Sequence, residues 1–244
     1  MRRLFYGMTL WVVLSACQSR GQIAASAFDA ANKLYEEGKF AEAAAAYHKL
    51  LKTGRTSSAV YFNLGNSFFK AGELGRAIGA YHQAAELAPR DSDLRANLQF
   101  ARNQVQGPTR IPSRWQQWLT RLTINEWSCL TAGAFWLWLA LLTFGQLRPA
   151  VRPALRHYVF LLGTATGVLA ACLALALHQR SSPSAIVTVR DAVVRQAPIE
   201  EAQSAFTVHD GAELEILDQK NDWLQVTTDP RRIGWIRRDQ VLIP

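Results

Sequence analysis

Two uncharged apolar runs constrain this chain more than any other feature. They extend over residues 127–147 and 158–177, and each is close in length to the ~20 residues that a helix needs to cross a bilayer. The alternative is a pair of buried helices in a large soluble core, but core helices rarely run so far without a charge on any face. The sequence therefore predicts a multi-domain membrane protein with two transmembrane helices.

The connection between the two runs, residues 148–157, is basic. It carries Arg148, Arg152 and Arg156 and no acidic residue. Because short basic loops are retained in the cytoplasm, we expect this loop to be cytoplasmic and both flanking segments to lie on the other side. The sequence thus predicts a hairpin in a bacterial inner membrane that carries two periplasmic parts.

The N-terminus, residues 1–17, is typical of a secretory signal, with two arginines followed by a short apolar stretch. Its last four residues, Leu14 to Cys17, resemble the lipobox of bacterial lipoproteins, and the resemblance implies a lipid on the Cys17 thiol. Cleavage near Ala27 and an uncleaved anchor are the alternatives. All three place Gln18 and the residues after it outside the cytoplasm, in agreement with the loop charge.

Composition excludes several classes of function. The net charge of +8 is divided between positions that flank the apolar runs and a mildly basic first domain, so no compact nucleic-acid-binding surface is indicated. Cys129 and Cys172 lie inside the apolar runs, and only Cys17 lies outside them. Neither a disulfide framework nor a zinc site is therefore expected. Since no catalytic or phosphate-binding motif is present, we expect a protein without enzymatic activity, metal or cofactor.

A 34-residue period organises residues 24–106. It aligns several pairs of identical residues, namely Asn32 with Asn66, Gly38 with Gly72, Ala43 with Ala77, Tyr47 with Tyr81 and His48 with His82. This period with these residue types resembles the tetratricopeptide repeat. The resemblance implies an all-α solenoid of about two and a half repeats, in which the two histidines have a structural role.

The same resemblance implies a binding groove on the concave face, formed by the first helix of each pair. The residues expected there are Phe28, Asn32, Tyr35, Phe62, Asn63, Asn66, Phe69, Lys70, Asn97 and Phe100. Asparagine side chains pair with a peptide backbone, and aromatic side chains act as anchors. Some co-chaperone repeats bind a terminal carboxylate through basic residues at the places of Phe28 and Asn97. We therefore expect this groove to bind a segment of a partner protein instead.

Residues 107–126 connect the repeats to the first apolar run. Trp115, Trp118, Leu119 and Leu122 recur there at helical spacing. This pattern is typical of a short amphipathic helix at a bilayer surface. Packing of the same helix against the repeats is the alternative.

In residues 183–244, β-branched residues alternate with polar ones, and Asp210-Gly211 and Asn221-Asp222 indicate turns. The pattern predicts a small all-β barrel, and the order of its strands resembles bacterial SH3-like domains. Trp223 and Trp235 are either part of the barrel core or a platform for a ligand. The resemblance implies binding of cell-wall peptides or of partner proteins.

The whole order of segments, with L-T-I-N-E-W before the first apolar run, resembles BatE-type proteins of the bacterial aerotolerance operon family. That resemblance implies partners, namely membrane proteins with von Willebrand A-type domains and a MoxR-type ATPase, in envelope stress. We expect a membrane-anchored scaffold. The alternatives are a module that binds peptidoglycan in the cell wall and, less directly, a cofactor of an envelope hydrolase on another chain.

Overall fold

The computed structural model describes residues 26–108, 113–181, 183–229 and 231–243. The predicted signal sequence and Cys17 lie outside these residues. The chain forms two compact units. The repeat–sheet unit comprises Met1–Arg110 together with Ser184–Pro244, and the hairpin unit comprises Ile111–Pro183.

The first part of the repeat–sheet unit is helical. Its helices are α1 (residues 26–36), α2 (Phe40–Lys52), α3 (Ser58–Lys70), α4 (Leu74–Leu87) and α5 (Ser92–Gln104). The turns after α1 and α3 contain Gly38 and Gly72, whose φ angles are 78° and 81°. This left-handed conformation favours glycine, which accounts for the alignment of these two glycines in the 34-residue period.

The helices pack by matching small residues with large ones. A Cβ atom at Gly65 would lie 2.6 Å from the ring of Tyr81, so a larger residue in α3 would displace α4. Tyr47 and Tyr81 are both buried, and Ala43 and Ala77 are buried at equivalent positions of the two pairs. The repeated residues therefore fill the interior of the solenoid in both pairs.

The second part of this unit is one antiparallel sheet. Its strands are β1 (Ser184–Val187), β2 (Asp191–Arg195), β3 (Ser204–His209), β4 (Glu213–Lys220), β5 (Trp223–Asp229), β6 (Arg232–Arg237) and β7 (Val241–Leu242). The strand order is β3-β2-β6-β5-β4-β1-β7. The sheet is open among the described residues, whereas the sequence predicted a closed barrel. The edge strand β7 is short, and its Leu242 side chain packs against α4 at Gly79 instead of completing a barrel.

The sheet and the helical repeats share their hydrophobic cores. Ile186 of β1 is buried in the cluster that contains Ala77 and Ile78 of α4. Val105, just after α5, packs against the core of the sheet. The sequence presents these parts as separate domains because the apolar runs stand between them, but they fold together as one unit.

The hairpin unit contains α6 (Arg114–Leu119), α7 (Ile124–Leu147), a short 3-10 helix (Pro149–Val151) and α8 (Arg152–Ser181). The helical segments Ile124–Leu147 and Pro149–Gln179 are long and apolar enough to cross a membrane. Only 6 % of the most apolar window of each is buried within the molecule. Such low burial is not that of core helices in a soluble protein.

Both long helices extend beyond the predicted apolar runs. α7 begins at Ile124 because Thr123 and Glu126 form a capping box at its start. α8 begins at Arg152, inside the predicted loop, since a proline such as Pro153 is tolerated in the first turn of a helix.

α7 and α8 contact each other through a tryptophan and a glycine. The indole Nε1–H of Trp138 donates a hydrogen bond to the carbonyl oxygen of Val159, at 3.1 Å. A Cβ atom at Gly163 would lie 2.9 Å from the same indole nitrogen. The small residue therefore allows the two helices to approach closely.

Candidate functional site

The ten residues predicted for the groove lie on the first helix of each pair. Phe28, Asn32 and Tyr35 are on α1, Phe62, Asn63, Asn66, Phe69 and Lys70 are on α3, and Asn97 and Phe100 are on α5. Most are half-buried, and only Lys70 and Phe100 are exposed. We call the face formed by these residues the groove face.

Two identical hydrogen-bonded triads lie at the groove face. In the first, the Tyr47 hydroxyl and the Asn63 amide both donate to Oδ1 of Asn32, at 2.5 and 3.1 Å. In the second, the Tyr81 hydroxyl and the Asn97 amide donate to Oδ1 of Asn66, at 2.7 and 3.1 Å. Each member of the second triad lies 34 residues after its counterpart in the first.

The triads fix the asparagine side chains and leave some of their polar atoms free. Among the described residues, the amide nitrogens of Asn32 and Asn66 and the amide oxygens of Asn63 and Asn97 have no intramolecular partner. These atoms are one donor group and one acceptor group in each triad, which is the set that a peptide backbone requires.

The tyrosines of the triads remain neutral donors. Burial raises the pKa of Tyr47, although the hydrogen bond with the Asn63 side chain opposes this effect. Burial also raises the pKa of Tyr81 well above its ordinary value. The sequence alone predicted no hydrogen bond for these tyrosines. Their 34-residue spacing, shared with the asparagines, was the available signal for the hydrogen bonds.

The aromatic residues of the groove face also support the fold. The Phe28 ring lies 5.9 Å from that of Tyr47, and the Phe62 ring lies 6.1 Å from that of Tyr81, between ring centroids. Phe100 differs, because it contacts Phe69 at 5.6 Å and yet remains 55 % exposed. Phe100 is therefore the aromatic residue most available to a ligand.

α4 contributes no residue to the groove face. The sheet covers one side of α4 through polar contacts that the sequence did not predict. The carboxylate of Asp210 accepts hydrogen bonds from the backbone N–H groups of Leu74 and Gly75, at 2.8 and 2.9 Å. Asp210 thus caps the start of α4, where the local N-cap residue, Glu73, provides no side-chain hydrogen bond.

A second polar contact joins β4 to both α4 and α5. Glu213 pairs with Arg102 at 2.6 Å and with the His82 ring at 3.1 Å. Burial alone would raise the pKa of Glu213, but the hydrogen bonds and charges of His82 and Arg102 outweigh it and lower the pKa to about 2. The carboxylate is therefore charged at neutral pH and compensated within the interface.

Trp223 and Trp235 lie together on the sheet face that points away from the sheet core. Their strand neighbours Leu224 and Ile236 are fully buried, whereas both tryptophans are half-buried. In the β5–β6 register, Trp235 pairs with Gln225 and Trp223 pairs with Arg237. The tryptophans are thus diagonal neighbours that lie outside the core. The sequence had left open whether they belong to the core or form a platform for a ligand.

Comparison with protein families supports the interpretation of the helical part. The tetratricopeptide repeat family matches residues 58–91, which contain α3 and α4. A comparison of the chain with curated proteins finds no match. The second helical pair thus matches a tetratricopeptide repeat, and such repeats suggest a protein-interaction scaffold.

The described residues also define what the groove face lacks. No group of three or more His, Cys, Asp or Glu side chains in the described part of the chain could hold a metal ion. The chemistry of the groove face is that of amides, aromatic rings and the single cation of Lys70. Such a surface recognises a ligand by hydrogen bonds and apolar contact.

Proposed function

We propose that this protein is a non-enzymatic, membrane-anchored scaffold that binds an extended segment of a partner protein at the groove face. The observation that carries the proposal is the pair of Asn–Tyr–Asn triads, which hold free amide groups on the same face as the exposed ring of Phe100. Fixed polar groups lose little entropy on binding, so they favour recognition of a peptide backbone.

The position of the sheet supports this assignment. Its contacts with the repeats involve α4 and the end of α5, through Gly75, Gly79, Arg102 and Val105. None of the ten groove residues is among these contact residues. The sheet therefore stabilises the repeats from the back and leaves the groove face accessible.

The fold of the repeat–sheet unit also supports a two-span hairpin. Val105, before the hairpin unit, and Ile186, after it, both pack inside the repeat–sheet unit. A chain that leaves one folded unit and returns to it crosses the membrane an even number of times. With the basic loop in the cytoplasm, both ends of the hairpin lie on the periplasmic side of a bacterial inner membrane.

The resemblance to BatE-type proteins gives the class of partner. It supports a role in envelope stress or aerotolerance with von Willebrand A-type membrane proteins and a MoxR-type ATPase system. In this role the hairpin would hold the scaffold close to the bilayer. The scaffold would there bind a segment of one membrane partner at its groove face.

The test is crosslinking in intact cells, followed by affinity purification and mass spectrometry. Phe100→Ala removes a groove ring that is 55 % exposed, and Leu87→Ala removes a similarly exposed side chain, at 50 %, from α4. We expect Phe100→Ala to lose a von Willebrand A-type partner and Leu87→Ala to retain it. Equal recovery with both variants would exclude the groove face as the binding site.

A second candidate function is binding of peptidoglycan by the sheet, as in some bacterial SH3-like modules. The observation that favours it is the position of Trp223 and Trp235 outside the sheet core, because tryptophan rings on a surface stack against ligands. The full chain in detergent would be sedimented with purified cell-wall sacculi. Loss of sedimentation in Trp223→Ala/Trp235→Ala, but not in the exposed control Leu217→Ala, would favour the cell-wall function.

A further inference from the structure

The protein covers only part of the apolar face of α6. At 100° per residue, Trp115, Trp118 and Leu119 lie on one side of this helix. Leu119 is buried, whereas Trp115 is 54 % and Trp118 51 % exposed. The two largest apolar side chains of the helix, Trp115 and Trp118, are therefore available to contact a lipid or a partner molecule.

The orientation of α6 is fixed by contacts within the hairpin unit. Leu119 is buried in one cluster with Trp127 of α7 and Ala176 of α8. The indole Nε1–H of Trp127 donates to the carbonyl oxygen of Leu119 at 3.1 Å, and the Trp118 ring lies edge-on to the Trp127 ring at 5.7 Å. The exposed tryptophans are thus held beside the ends of the two long helices.

Two uncompensated cations flank the exposed tryptophans. Arg114 and Arg121 are both exposed, and neither guanidinium has an intramolecular partner in the described part of the chain. The nearest acidic side chain along the chain, Glu126, accepts a hydrogen bond from the Thr123 backbone N–H at 2.9 Å. Its carboxylate belongs to the capping box of α7.

We propose that Trp115, Trp118, Arg114 and Arg121 form a binding surface for anionic phospholipid, which we call the α6 surface. Indole rings favour the boundary between acyl chains and headgroups, where the ring is in apolar surroundings and the N–H reaches water. Guanidinium groups pair with phosphate oxygens through two parallel hydrogen bonds.

A lipid surface is the occupant because of where the α6 surface lies. It adjoins the start of α7, which is long and apolar enough to span a bilayer. Its two arginines complement the negative charge of an anionic phospholipid headgroup. The inference rests on the membrane insertion of the hairpin that was proposed above, and the experiment measures that insertion separately.

The first measurement locates the two indoles in vesicles that contain the full chain. The emission of Trp115 and Trp118 is obtained by subtracting the fluorescence of the Trp115→Phe/Trp118→Phe variant from that of the native protein. The phenylalanine rings of this variant keep the apolar contacts. We expect phospholipids brominated near the headgroup to quench this difference emission and aqueous iodide to leave it unchanged. Quenching by iodide alone would overturn the proposal and assign the surface to another protein or to solvent.

A separate reporter tests the insertion of the hairpin. Trp136 lies within α7 and is 65 % exposed, so the difference emission of Trp136→Phe should be quenched by lipids brominated deep in the acyl chain. If Trp136 is quenched but the α6 indoles are not, the α6 surface is wrong while the spanning hairpin stands. If neither is quenched, both proposals fail.

The second measurement tests the preference for anionic lipid. Brominated phosphatidylglycerol is compared with brominated phosphatidylcholine, each as a minor component of phosphatidylcholine vesicles. Each arginine near an anionic headgroup is expected to favour it roughly fivefold at low salt, and salt should weaken this preference. Arg114→Gln/Arg121→Gln should abolish the preference, while Arg152→Gln/Arg156→Gln, at the other end of the hairpin, should keep it. Equal quenching by both lipids in the native protein would overturn the anionic part of the proposal.

Discussion

The backs of the two helical pairs differ, although their groove faces are alike. In α2, Ala41, Ala45 and His48 are exposed. The equivalent positions in α4, 34 residues later, are Gly75, Gly79 and His82, and the sheet covers them. One repeat thus presents its second helix to solvent, and the other presents it to a partner from the same chain.

The exchange of alanine for glycine explains how the sheet reaches α4. A Cβ atom at Gly75 would lie 1.9 Å from the carbonyl oxygen of Val187, and one at Gly79 would lie 2.4 Å from a methyl carbon of Leu242. No substitute for glycine fits against a backbone atom at that distance. The two glycines weaken the helix slightly, and burial against the sheet offsets this cost.

The largest expected effect comes from the polar contact that only the second repeat makes. Because Glu213 pairs with Arg102 and His82 in a largely buried position, Glu213→Gln should lower the free energy of unfolding by about 3 kcal/mol at pH 7. Chemical denaturation of the full chain in detergent micelles measures this difference.

The pH dependence of the free energy of unfolding supplies the control for Glu213→Gln. The pKa of Glu213 is lowered to about 2 in the fold, so the carboxylate stabilises the native state above its ordinary pKa of 4.5 and loses this contribution as the pH falls towards 2. The difference between the native protein and Glu213→Gln should shrink over this pH range. A difference that is independent of pH would contradict the assignment.

The next effect is steric and tests the glycines. Gly75→Ala should destabilise the protein by about 2 kcal/mol because its methyl group meets the backbone of β1. Gly79→Ala should cost less, because it meets the flexible tip of Leu242. Thermal unfolding midpoints of the two variants measure the order. If both variants were as stable as the native protein, the close approach of sheet and helix would be wrong.

A smaller effect is expected from the cap that the sheet provides to α4. Asp210→Ala should cost about 1–2 kcal/mol, because two backbone N–H groups lose their acceptor. Asp91→Ala removes the local cap of α5, which accepts from Asp93 and Leu94, and is the matched control. Amide hydrogen exchange at Leu74 and Gly75 should increase only in Asp210→Ala.

The smallest effect should be equal in the two repeats. Tyr47→Phe and Tyr81→Phe each remove one hydroxyl donor from an Asn–Tyr–Asn triad, at a cost of about 1 kcal/mol. Thermal unfolding of the two variants should therefore give similar shifts. A much larger effect of one variant would show that the triads are not equivalent.

The sequence predicted the features that rest on short-range patterns. The 34-residue period located the helical pairs, and the uncharged apolar runs located α7 and α8, because helix formation and burial follow the local order of residues. The period also selected the groove asparagines. It did not show that their amide oxygens accept hydrogen bonds from Tyr47 and Tyr81, since this depends on rotamers in the folded pair.

The docking of the sheet was not predictable in the same way. Asp210 and Glu213 follow α4 by more than a hundred residues, with both apolar runs in between. A glycine pair in α4 indicates that something approaches closely, but it does not identify what approaches. The open sheet, with the short strand β7 at one edge and in contact with α4, was likewise not predictable from the sequence.

By itself, the sequence determined the helical repeats, the apolar hairpin and the alternating strands, because each depends on a periodic pattern of side chains along the chain. Only the tertiary structure decided that the repeats and the sheet, which the hairpin segment separates along the chain, form one unit. The physical reason is that this contact depends on complementary surfaces. A buried carboxylate needs its cations, a helix start needs an acceptor, and a backbone atom needs a glycine, and these requirements meet only when distant segments are folded together.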